Sequence, residues 1–313
     1  MMIRNVLIGL GAGLAAALLY AGLLTSNLVA VPLFLISPLP IAIAGLGFGT
    51  LSGALAAAMA SALIAIALDP VLGVLYLINY AAPVAWVAHL VGLSRPSEAT
   101  PDAQEWFPLD TVLLRAGLAT ALSVVAWTAL RGYDSATLAA GLLDALTTIM
   151  ADGGSEVARG QLEPIVGAIV TLMPVLFAFS VLVIVVFNVY VGARIVQRSG
   201  LLQRPWTPLW RVRPQRILVL FFGLTLAATF IGGSIGEVGG AFAGAFAAIF
   251  ALTGYGLVHA SLLGRPARGV LLWLLYVLTF LFSPTLVVMC VVGVADSLFD
   301  LRSRRLGGAD GPK

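Results

Sequence analysis

Charge is what this sequence has least of. It holds 17 Lys or Arg and 14 Asp or Glu in 313 residues, or 10% charged against 60% hydrophobic. A soluble chain carries about 25% charge, so an ordinary water-soluble domain is excluded and a polytopic membrane protein is expected. One cysteine, Cys290, excludes an internal disulfide. Two histidines, His89 and His259, with no cysteine pair beside them, cannot complete a typical zinc site. No G-x-x-x-x-G-K-S/T phosphate loop is present; the glycines of I-G-G-S-I-G-E-V-G-G (231–240) have no lysine after them to meet a phosphate. With no constellation of acid, base, nucleophile or metal ligand, the expectation is a protein that is not an enzyme and has no catalytic residue, metal or cofactor.

What is present is apolar sequence divided by islands of charge. The islands are 94–115, 131–163, 194–216 and 296–313, and outside them stand only Arg4, Asp69, Glu237, Arg265 and Arg268. A spanning helix needs about 20 apolar residues, so most gaps hold one crossing. Residues 5–68 are longer: about 96 Å as helix, enough for about three crossings of a ~30 Å layer. Thr25-Ser26-Asn27 and Gly45–Gly53 are the natural turns. The sum is an all-α protein with nine or ten membrane segments.

Orientation follows from arginine, because cytoplasmic loops hold the excess of basic residues. The 194–216 loop carries Arg194, Arg198, Arg204, Arg211, Arg213 and Arg216 and no acid, which places it in the cytoplasm of a bacterial inner membrane. Counting outward puts Asp69, 131–163 and Glu237 outside, and Arg4 with the N-terminus inside. The apolar run after Arg4 continues too far for a cleaved signal peptide, so 5–24 reads as a retained anchor. Residues 269–301 form either one kinked span or two short ones turning at Ser283-Pro284. The hairpin is preferred, because it returns Arg302, Arg304 and Arg305 to the cytoplasm.

Three loops have character. Residues 94–108 are a Pro-punctuated connector ending in Trp106-Phe107, an aromatic pair suited to the headgroup level or to a partner. Residues 135–151 space Leu138, Leu142, Leu143, Leu146 and Ile149-Met150 as one helical face, which predicts an amphipathic helix on the outer surface or a lid over an external cavity. The basic loop, with Pro205, Pro208 and Pro214 against a continuous helix, offers Arg204, Trp206, Trp210, Arg211, Arg213 and Arg216 to anionic membrane lipid or to a cytoplasmic partner. No nucleic-acid recognition module is present.

Inside the membrane the informative residues are uncharged and polar. Asn79 and Tyr80 fall mid-span, Ser123 and Trp127 in the next span, and Asn27 at an outer turn. Such a set holds a small, mostly apolar ligand by a few polar contacts, or joins helices by interhelical hydrogen bonds; both readings stand. Glu237 reads as a solvated residue of an external turn, and small-xxx-small pairs such as Gly9/Gly13 and Gly240/Gly244 as close helix contacts.

Four polar stretches carry a resemblance: N-V-Y-V-G-A-R-I-V-Q-R-S-G-L-L-Q-R-P-W (188–206), E-W-F-P-L (105–109), G-L-V-H-A-S-L-L-G-R-P-A-R (256–268) and G-V-A-D-S-L-F-D-L-R-S-R-R (293–305). In these the chain resembles the YybS-like family of uncharacterised bacterial membrane proteins (domain of unknown function 2232). That family is distantly similar to the substrate-binding S components of energy-coupling-factor transporters. The resemblance implies a six-span, outward-opening binding unit over 1–193, followed by the 194–216 loop and a C-terminal membrane region with a short tail over 217–313. It also implies that Ala12, Ala16, Ala17 and Ala21 of the first helix face a coupling subunit. The functional expectation is a transport-related protein that binds a small molecule without its own ATPase; the alternative is a scaffold or assembly factor docking a cytoplasmic partner through its Arg-rich loop.

Overall fold

A computed structural model describes residues 2–24, 29–97, 103–132, 135–152 and 159–302. Its helices are α1 (Met2–Ala21), α2 (Ala30–Ile36), α3 (Leu39–Phe48), α4 (Thr50–Ala67), α5 (Pro70–Tyr76), α6 (Ala82–Gly92), α7 (Leu109–Arg131), α8 (Ser135–Asp152), α9 (Arg159–Arg198), α10 (Ile217–Thr229), α11 (Gly233–Ser261), α12 (Arg268–Leu281) and α13 (Pro284–Phe299). Seven helical stretches among the described residues are long and apolar enough to cross a membrane: Met2–Leu24, Ala30–Phe48, Thr50–Ala67, Pro70–Gly92, Leu109–Leu130, Arg159–Arg198 and Gly233–Ser261. The chain is a multi-pass membrane protein. Three of these stretches fall in 5–68. Helices α10, α12 and α13, with 13, 14 and 16 residues, are apolar but only about 20–24 Å long, short of a ~30 Å hydrocarbon layer.

Polar contacts gather alternate helix ends at one end of the bundle. Asn5 donates to the Phe48 carbonyl and Ser52 to that of Asn5; Thr50 Oγ1 lies 2.7 Å from His89 Nδ1. Arg204 reaches the carbonyls of Val91 and Phe107, and Arg302 those of Trp210, Val212 and Thr253. This loop end therefore collects the start of α1, the α3–α4 turn, the 93–108 connector, the basic loop and the end of α13. The 269–301 stretch is two helices broken at Phe282-Ser283: α12 follows the α11–α12 turn at the loop end, and α13 returns there.

Backbone proximity sets the packing. Gly9 and Gly13 of α1 lie against α4 so closely that a Cβ would meet the Ser52 and Ala56 carbonyl oxygens at 2.8 and 2.7 Å. On α11, a Cβ at Gly244 would overlap Val175 of α9 and one at Gly254 the Met289 carbonyl of α13, while one at Gly293 would overlap the Phe250 carbonyl in return. One hydrophobic core runs from Ala16 to Cys290, drawing residues from both sides of the basic loop. Gly49 supplies the φ of +94° with which α3 turns into α4.

Several expectations change in detail. The connector contains a two-stranded antiparallel ribbon, Ser94–Pro96 with Gln104–Trp106, closed by the Arg95–Glu105 ion pair at 2.8 Å. The amphipathic helix α8 lays the middle of its apolar face on α9, Leu143 being buried with Val166 and Val170 and flanked by Leu142, Leu146 and Leu162, while Leu138 and Ile149 of the same face stay exposed. A 40-residue α9 is about 60 Å long and so has turns to spare for α8. Glu237 sits in the second turn of α11, after the bend at Phe230–Gly232, and not in the turn itself. Ala16 and Ala17, expected to face a coupling subunit, are buried within the chain, because α4 covers that face of α1. Arg302, read as part of a basic tail, is 1% exposed and paired with Asp296 at 2.8 Å; Arg304 and Arg305 lie outside the described residues.

Candidate functional site

Two of the crossing stretches in the first half are interrupted at mid-length. Between α2 and α3 the helix breaks at Ser37-Pro38, where Pro38 and Pro40 withhold the amide hydrogens that would continue it. Between α5 and α6, residues Leu77–Ala81 form a π-helical turn, and Ala82 N–H donates five residues back to the Leu77 carbonyl. Pro83 explains that turn: it has no N–H for the Asn79 carbonyl, so the ladder widens. Backbone irregularity inside a membrane is tolerated where protein or a cavity surrounds it, and paired broken helices are where transporters place their sites.

Polar side chains converge on these two breaks. Tyr76, Ser37, Thr120, Asn188 and Asn79 are all at 0% exposure. Asn79 spends its amide on structure: Nδ2 donates to the Leu75 carbonyl at 3.2 Å, and Oδ1 accepts from Ser123 Oγ at 3.2 Å. Asn188 of α9 donates to Leu35 of the first break at 2.8 Å. The Tyr76 hydroxyl faces Ser37 but outside hydrogen-bond geometry. Four buried polar atoms there have no partner: Ser37 Oγ, Tyr76 OH, Thr120 Oγ1 and Asn188 Oδ1. A buried polar atom without a partner costs about 1–3 kcal/mol, so four around one pair of helix breaks need a reason. Beside them stands an aromatic quartet in edge-on contact, Tyr20 with Phe34 and Tyr76 at 5.8 and 5.0 Å and Phe34 with Tyr80 at 5.4 Å. The group sets aromatic rings beside buried hydroxyl and amide groups, the composition by which a site holds a small ligand through a few polar contacts.

Of the residues singled out by sequence, Asn79, Tyr80 and Ser123 come together here, and Trp127 lies one turn beyond Ser123 on α7. Asn27 lies outside the described residues. Ser37, Tyr76, Thr120 and Asn188 were missed. Their signal was the prolines: Pro38, Pro40 and Pro83 inside apolar stretches mark where backbone and side-chain polarity are left over.

The basic loop makes a second cluster, and it is folded inward. Arg204 is half-buried, with Nη1 donating to Phe107 O at 2.8 Å and Val91 O at 3.3 Å; burial pushes its pKa down from the ordinary arginine value. Trp206 packs on Tyr190 at 5.6 Å, and the Arg194 guanidinium caps its ring at 3.9 Å, a cation–π contact. Trp210 carries Arg211 over its ring at 5.3 Å, and its carbonyl accepts from Arg302. Arg213 pairs with Asp300 at 2.7 Å; Arg211 and Arg216 are exposed. His89 lies against Thr50 at the loop end, and His259 is hydrogen-bonded at 2.8 Å to Tyr276, whose ring stacks on Tyr255. Among the described residues no group of three or more His, Cys, Asp or Glu is placed to hold a metal.

The family model "Predicted membrane protein (DUF2232)" matches residues 13–297, so the chain belongs to that family. No curated protein and no solved structure matches it significantly.

Proposed function

We propose that this chain is a transport-related protein of the bacterial cytoplasmic membrane that binds a small molecule at the polar centre of residues 1–193 and has no ATPase of its own. The observation that carries the reading is the set of four partnerless buried polar atoms, Ser37 Oγ, Tyr76 OH, Thr120 Oγ1 and Asn188 Oδ1, placed where two crossing helices are interrupted. A ligand with hydrogen-bonding groups on a compact apolar or aromatic body meets both the orphaned atoms and the Tyr20, Phe34, Tyr76 and Tyr80 rings. The excess of arginine in the basic loop favours a cytoplasmic loop end, and counting the short α10, α12 and α13 as crossings of a locally thinned bilayer gives ten. The family's resemblance to S components, read from sequence alone, would imply a binding unit in the first six spans. A coupling subunit would meet α1 away from Ala16 and Ala17, since α4 covers them.

The test is mass spectrometry of small molecules extracted from protein purified in mild detergent, comparing the wild type with Tyr76→Phe/Thr120→Val. The wild type is expected to carry a compound that the folded double variant loses. Equal extracts from both would sink the reading.

The scaffold reading rests on Arg211 and Arg216, which the fold leaves exposed. Cross-linking in native membranes distinguishes it, because a cytoplasmic protein lost from Arg211→Gln/Arg216→Gln would favour docking.

A further inference from the structure

Two cavities open at the loop end and share a wall made of Val91, Leu202 and Arg204. One, of about 130 Å³, lies among α6, α7, α9, α11 and the basic loop; Val112, Ala116, Val189 and Trp206 make it almost wholly apolar. A 150 Å³ apolar cavity accepts benzene, so this one takes a ring or a short alkyl segment. The other, of about 350 Å³, lies between the start of α1, the α3–α4 turn and the end of α6, and it is bordered by Arg4, Asn5, His89 and Gln203. No carboxylate among the described residues lines either cavity.

Arg204 stands between them. Its described bonds are to two neutral carbonyl oxygens, and no acid among the described residues lies within ion-pair distance of it. A half-buried guanidinium without an anion is costly. Its planar fork is suited to a phosphate, which meets it through two parallel hydrogen bonds. We infer that the two cavities form one site for an anionic phospholipid, the phosphate beside Arg204 in the polar cavity and the adjoining apolar part in the 130 Å³ cavity. The site differs from diffuse attraction of basic loops to anionic membranes, because it predicts one tightly held lipid with both a head and a tail requirement. It lies at the opposite end of α6 from the broken helix centre, so it stands or falls independently of the small-molecule reading.

Native mass spectrometry of the full chain, released from detergent with added phosphatidylglycerol, phosphatidylcholine of the same acyl chains, or inorganic phosphate, tests the inference. One phosphatidylglycerol is expected to be retained about tenfold more strongly than phosphatidylcholine: both bring a phosphodiester to Arg204, but phosphatidylcholine also brings a quaternary ammonium into a cavity bordered by Arg4 and Arg204. Arg204→Gln abolishes that preference and Arg204→Lys restores part of it. Ala116→Leu, which fills the apolar cavity without touching charge, weakens phosphatidylglycerol binding also. Equal retention of the two lipids, or indifference to Arg204→Gln, overturns the site. If inorganic phosphate binds as tightly as the lipid and Ala116→Leu has no effect, the ligand is a free phosphate and the lipid assignment fails. Because Arg204 also ties the loop to α6, Arg4→Gln at the exposed rim serves as a second variant: it is expected to reduce the preference at an unchanged unfolding temperature, and an unchanged preference counts against the site.

Discussion

The two halves of the membrane core solve the same problem in opposite ways. Around α11, glycines bring backbones into contact, and the hydroxyls of Thr229, Thr253 and Ser297 are satisfied at home, while the Arg302 Nε, outside hydrogen-bond geometry, is met by the Asp296 carboxylate as an ion pair. Thr253 donates to Ile249 and Phe250, Thr229 to Thr225 and Ser297 to Gly293. Even the buried Arg302 is surrounded by an aspartate and three carbonyls. Around the α2–α3 and α5–α6 breaks, prolines interrupt the helices, and Ser37, Tyr76, Thr120 and Asn188 keep partnerless atoms. The difference teaches where to look for content: a membrane core pays for unsatisfied polarity only where something other than packing is being served.

Asp296→Ala tests the closed half most severely. It strands the 1%-exposed Arg302 guanidinium, and breaking a buried pair costs about 3–5 kcal/mol; thermal unfolding in detergent should register it or return no folded protein. Gly293→Val forces a side chain into the Phe250 carbonyl, and overpacking of this kind costs up to about 3 kcal/mol, measured the same way. In the broken half, Thr120→Val removes a hydroxyl without a partner and Tyr76→Phe one that only faces Ser37, so stability should stay within about 0.5 kcal/mol of wild type or rise. A loss as large as that of Gly293→Val would erase the contrast between the halves. The smallest effect lies outside both, in the 94–106 ribbon. Hydrogen bonds from Arg95 and Ser97 hold the Glu105 carboxyl below its usual pKa. The folded form therefore binds a proton less readily than the unfolded one, so the contribution is present above the ordinary carboxylate pKa and disappears as pH falls through the folded value. Wild type and Glu105→Gln should differ slightly at neutral pH and converge in acid, followed by the ribbon's amide exchange.

Much of this architecture is legible without coordinates, for physical reasons. Apolar length alone divides 5–68 into three crossings, since helix rise and bilayer thickness are both fixed, and Ser283-Pro284 marks the α12–α13 break because proline has no amide hydrogen. What resists reading is partner choice. The face of α8 spells amphipathic helix, yet nothing local says that its middle, at Leu143, will be covered by α9 while Leu138 and Ile149 stay exposed. Arg302 has the look of a tail residue until Asp296, six positions earlier, turns out to accept its backbone N–H and pair with its side chain. At the site, Asn79 and Ser123 announce themselves by polarity, but their amide and hydroxyl serve each other. The atoms left over belong to Ser37, Tyr76, Thr120 and Asn188, common residues whose isolation depends on what the fold withholds from them.

The knot at Arg302 also has a consequence in time. Its guanidinium holds the carbonyls of Trp210 and Val212, 92 and 90 residues earlier in the chain. At a synthesis rate of about 5–20 residues per second, that segment waits on the order of 5–20 s for its fastener to leave the ribosome. During that interval the loop has its contacts from Arg204 and Trp206, but the carbonyls of Trp210 and Val212 still lack the arginine that closes them onto α11. A chain cut short before Arg302 would leave the carbonyls of Trp210, Val212 and Thr253 without that donor.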